Sequence, residues 1–130
     1  MKGWSKVLLI ALAAAVGHAF GRFSYGVLLP AVRDDMGINN TLAGSIGAAN
    51  VGAYLLGTII VAWATSHYRL INVMRLGLSL VTLGLLLASI ASGPLMLAAG
   101  LFLTGMGGAF LWIPSPVIAA DALPIDPIVT

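Results

Sequence analysis

Arg22 is the residue with the most chemistry to explain, because it stands inside an apolar run, residues 7–29, long enough to cross a bilayer as a helix. A guanidinium at the centre of a spanning helix costs about 2.5 to 3.5 kcal/mol on the insertion scale. The same run holds eleven Val, Leu, Ile and Phe residues, each returning about 0.3 to 0.6 kcal/mol, so the helix is still expected to insert. Arg22 should then face away from lipid. Regular helical spacing puts His18, Arg22 and Tyr25 on one face, at i, i+4 and i+7. That polar stripe fits a cavity wall where Arg22 meets an anionic group or a carboxylate, beside a histidine, the side chain that ordinarily titrates near neutral pH. The plainer reading is a structural arginine bonded to carbonyls of a neighbouring helix, with His18 in packing.

The second apolar run offers Asn50 and Tyr54, four residues apart, as groups that could face the same cavity, and Trp112 stands beside a break in the fourth. Small residues at helical spacing, Gly17 with Gly21 and Gly44 with Ala48 and Gly52, read as rows for close helix packing, as does Gly105 in the fourth run. Pro114-Ser115-Pro116 should bend or interrupt that last helix, and broken helices in membranes often line sites. Asn39-Asn40-Thr41 matches a glycosylation sequon, a motif too short to weigh much.

Enzymatic constellations are missing. The sequence has no Cys, Glu or Gln; its four acids are Asp34, Asp35, Asp121 and Asp126, with no pair inside an apolar run and no metal-spaced histidine cluster. We therefore expect no enzyme, no metal and no cofactor. Six cations spread along 130 residues make no nucleic-acid footprint, which needs a clustered basic face.

The elements that carry these residues follow from composition. The chain is 60% hydrophobic and 8% charged, against about 25% charged residues in an ordinary soluble domain. Four apolar segments, residues 7–29, 43–65, 70–90 and 95–120, are each long enough to span, and they use up almost the whole sequence. The expected fold is an all-α membrane protein of four transmembrane helices in one transmembrane domain covering residues 1–130. Asn40 or Thr41 should cap the second helix. The start, with Lys2 and Lys6 before an apolar stretch, has the look of a signal peptide, but apolar character continues to Leu29, so it reads as a first spanning helix.

Orientation follows from Lys and Arg in the short flanks. Lys2, Lys6, Arg69 and Arg75 fall on one side, and only Arg33, beside two Asp, on the other. The N-terminus and the C-terminal tail are expected in the cytoplasm.

The sequence resembles the N-terminal portion of a major facilitator superfamily transporter. The resemblance rests on Gly17-His-Ala-Phe-Gly-Arg-Phe-Ser-Tyr-Gly-Val-Leu-Leu-Pro-Ala-Val, on Leu42-Ala-Gly-Ser-Ile-Gly-Ala-Ala-Asn-Val-Gly-Ala-Tyr-Leu-Leu-Gly and on Gly105-Met-Gly-Gly-Ala-Phe. It implies transport of a small solute by alternating access, with Arg22 in a central cavity. Two family features are degraded. The connector from Thr65 to Arg75 keeps Arg69 and Arg75 but lacks the usual Asp, and Leu101 stands where the family's fourth helix often has an Arg. The resemblance also implies twelve helices in two six-helix halves, so four would be a truncated or split chain, inactive alone, whose partners are lipid, solute and the remaining helices. The competing reading is a complete four-helix protein acting as a homo-oligomer or as a structural subunit of a larger complex.

Overall fold

The computed structural model describes residues 3–122, with the side chains of Arg22 and Ala122 outside that description. Among the described residues there is no strand, and four helical stretches are long and apolar enough to cross a membrane: Gly3–Met36, Asn40–Ala64, Leu70–Ser89 and Pro94–Asp121. The chain is an all-α integral membrane protein. The first span consists of α1 (Gly3–His18), a π turn (Ala19–Phe23) and α2 (Ser24–Met36), and the next two are α3 (Asn40–Ala64) and α4 (Leu70–Ser89). The fourth consists of α5 (Pro94–Trp112) and α6 (Ser115–Ala122).

Local chemistry sets the ends of these helices. Gly37 closes α2 at φ 65, the left-handed conformation a glycine adopts without a Cβ penalty. The cap of α3 is Asn39 rather than Asn40 or Thr41: its backbone is extended while Asn40 is already helical, and its side chain accepts from the Leu42 N–H at 2.8 Å. Arg33 ties the first connector by donating from Nη1 to Asn40 Oδ1 at 2.8 Å and from Nε to Asp34 Oδ1 at 3.3 Å. Pro94 opens α5 at a position where no N–H is needed. The break between α5 and α6 is also a matter of donors. Pro116 has no N–H to offer the carbonyl of Trp112 four residues back, and the Ser115 hydroxyl donates to that carbonyl instead, at 2.8 Å.

α5 is the central helix, packed along α4 on one side and α3 on the other, with the first span laid across them more loosely. The α4–α5 seam is built on paired glycines. A Cβ on Gly84 would lie 2.6 Å from the Gly100 carbonyl oxygen, and one on Gly107 would lie 2.7 Å from that of Gly77. Gly77 and Gly84 are seven residues apart, as are Gly100 and Gly107, so two antiparallel helices meet backbone to backbone at two levels, two turns apart. On the other side, a Cβ on Gly57 would stand 2.7 Å from that of Ala109, and one on Gly105 would strike the Asn50 carbonyl oxygen. Gly17 of α1 leaves room for Leu111, and Gly21 for Val81 and Thr104.

The row Gly44, Ala48 and Gly52 finds no close neighbour among the described residues. A Cβ on Gly44 or Gly52 meets nothing within 4 Å, and Ala48 is exposed. The packed face of α3 is Ala43, Ile46, Asn50, Ala53, Gly57, Val61 and Ala64. Each member of the open row sits two residues from a packed one, about 200° around the helix and so near its opposite side.

Two apolar clusters fill the bundle. One gathers Val61, Val73 and Phe110 near the α3–α4 connector; the other gathers Ile46, Leu97 and Leu101 toward the opposite end. Between them lies a buried polar waist, Asn50 and Thr104, 4% and 1% exposed.

Candidate functional site

The π turn decides which side chains meet. Its wider turn aligns residues five apart, so His18 lies edge-on to Phe23, with ring centroids 5.6 Å apart at 72°. Gly21 sits within it, and the Ser24 hydroxyl donates to the Phe20 carbonyl, a back-bond that commonly accompanies a bent helix. Tyr25 therefore does not follow His18 along one regular helical stripe. Tyr25 turns to α3, where its hydroxyl donates to the Ala43 carbonyl at 2.8 Å and its ring covers Gly47. Replacing it with Phe should cost about 1 kcal/mol, the net worth of one such bond, read as a lower unfolding midpoint with an unchanged helical spectrum. The backbone of Arg22 lies in the π turn, and its side chain lies outside the described residues.

His18, Tyr54 and Trp112 come together from three different spans. The imidazole stacks on the Trp112 indole at 4.6 Å and 29°, and meets the Tyr54 ring edge-on at 6.1 Å and 72°. Glycines make the approach possible: Gly108 lies under the Tyr54 ring, and Gly17 lets Leu111 in beneath α1. Trp112 is 44% exposed and Phe23 60%, so the rings form a shelf open on one side of the bundle. Such a shelf can hold the flat or apolar part of a solute by stacking, with imidazole and phenol groups to meet polar atoms.

Asn50 does a different job from the cavity-facing one its spacing to Tyr54 implied. It is buried, and its amide donates to the Leu101 carbonyl at 2.7 Å, to Thr104 Oγ1 at 2.9 Å and to the Gly21 carbonyl at 3.2 Å. One side chain on α3 thus joins the π turn and α5. Phe23, a member of the shelf, escaped the sequence reading because an inserted π turn leaves no mark in helical spacing. Among the described residues no three His or acidic side chains gather around a common point that could hold a metal.

The described residues form an all-helical bundle of four candidate spans in which ring side chains from three of them converge. The Major Facilitator Superfamily model matches residues 11–126, almost the whole chain, and the chain belongs to that family. Membership points to a transporter, not an enzyme. Comparison with curated proteins and with solved structures finds no match.

Proposed function

We propose that the chain forms the N-terminal part of a transporter that moves a small solute by alternating access, the solute meeting His18, Tyr54 and Trp112 with Arg22 as the cation of the site. The observation that carries this reading is the convergence of those three rings from the first, second and fourth spans on an open shelf. Transporters of this family are built from three-helix repeats nested in six-helix halves, with substrate held between the two halves near the bilayer midplane. Four spans supply one repeat and the first helix of the next, so further helices would close over the shelf. The setting we infer is a bacterial inner membrane with the N-terminus inside. Lys6, Arg69 and Arg75 lie at one end of the bundle, whereas Arg33 at the other is paired with Asp34.

The test is stabilisation by solutes of different charge in mild detergent. Small organic anions are expected to raise the unfolding midpoint, by about 2.7 kcal/mol of stability at a hundredfold excess over Kd, and Arg22→Gln to abolish that gain. Stabilisation by neutral or cationic solutes alone, unaltered by Arg22→Gln, would contradict the reading.

A further inference from the structure

Where α3 passes into α4, a groove of about 420 Å³ opens on the surface of the bundle. Ile60, Trp63, Leu76 and Phe110 give it apolar walls, and Tyr68 and Asn72 line its connector end. Trp63 stacks on His67 at 4.6 Å and 26° and meets Tyr68 edge-on at 6.1 Å, a group of amphipathic rings of the kind that sits at headgroup level. Arg69 is the extended residue that caps α4, its carbonyl accepting from the Asn72 and Val73 N–H groups at 3.0 and 3.2 Å, so its backbone stands at the connector end of the groove, between the lining residues Tyr68 and Asn72. Arg75 is exposed on the same helix.

Among the described residues neither Arg69 nor Arg75 has an ion-pair partner; Asp34 and Asp35 are in the last turn of α2 at the other end, and Asp121 on α6 is exposed and pairs with neither. The walls are apolar, the rings at the connector end are of the headgroup-level kind, and the charge beside them is a cation, so the occupant that matches all three is a lipid, with an acyl chain along the walls and a phosphate at the arginine.

We propose that the groove between the end of α3 and the start of α4 binds an anionic phospholipid, its phosphate at Arg69 and one acyl chain along Ile60, Leu76 and Phe110. This rests on insertion of the four spans and is independent of the transport reading. With Trp63 as the sole tryptophan (Trp4→Phe, Trp112→Phe), the chain is reconstituted in vesicles containing brominated phosphatidylglycerol or brominated phosphatidylcholine at equal mole fraction. The phosphatidylglycerol is expected to associate about fivefold more strongly by Trp63 quenching, the preference one surface arginine confers. Arg69→Gln should remove the preference and Arg69→Lys retain it. Native mass spectrometry of the unsubstituted chain should show the same preferential retention, lost in Arg69→Gln. Equal association of the two lipids, a preference that survives Arg69→Gln, or displacement by free glycerol phosphate in solution would each overturn the proposal.

Discussion

Gly84→Leu is expected to lower the stability of the bundle by about 3 kcal/mol or more, at the upper end of the cost of overpacking. The reason is what the new side chain would meet. Its first carbon already falls 2.6 Å from the Gly100 carbonyl oxygen and 2.8 Å from the Thr104 nitrogen, which are backbone atoms of a helix wedged between two others. They cannot rotate aside as the end of a side chain would, so α4 and α5 must separate and lose contact at the Gly77–Gly107 level as well. Gly107→Leu should behave alike. The contrast is Gly52→Leu, whose Cβ meets nothing within 4 Å and whose effect should stay within about 0.5 kcal/mol. Unfolding in mixed micelles, followed by circular dichroism, checks all three. Equal losses at Gly84 and Gly52 would mean that α4 and α5 do not meet on this seam.

Asn50→Leu carries the second large effect, a loss of about 1 to 3 kcal/mol. Interhelical hydrogen bonds in membranes are worth about 0.6 kcal/mol on average and up to about 1.7, and the Asn50 amide serves three acceptors on two neighbouring elements. Thr104→Val should cost less, since Asn50 keeps the Leu101 and Gly21 carbonyls. The double variant should lose less than the sum, because both groups belong to one network. Asn50→Asp should be the most damaging, placing a carboxylate against two carbonyl oxygens where an NH₂ group had been donating. A strictly additive double variant, or an Asp as well tolerated as Leu, would count against this waist as the joint of the bundle.

The sequence announces the spans because twenty-residue apolar segments have few other uses, and punctuation at Pro94 and at Pro114–Pro116 carries its mechanism in the missing N–H. Packing faces were less legible. Gly44, Ala48 and Gly52 satisfy the small-residue pattern as well as Gly77 with Gly84 does, and the choice between them is made by where α5 lies, which local spacing does not encode. Of the ring side chains, His18, Tyr54 and Trp112 stand out by type in apolar surroundings and do meet. Tyr25 and Phe23 exchange places because the π turn inserts an extra residue into the face that regular 3.6-residue spacing would draw. Asn50 looks alike in sequence whether it faces a cavity or clamps helices; its burial at 4% exposure and its three acceptors distinguish the two.

We infer that His18, Tyr54 and Trp112 line a water-accessible solute path within the membrane. The sequence contains no cysteine, so single cysteines can be placed without background, and reaction with a charged, membrane-impermeant thiol reagent is the most direct measurement. His18→Cys, Tyr54→Cys and Trp112→Cys are expected to react, whereas Ala53→Cys, fully buried, and Leu83→Cys, exposed on the apolar outside of α4, are not. Silence at all three ring positions, or reaction at Leu83 as fast as at His18, would contradict the account.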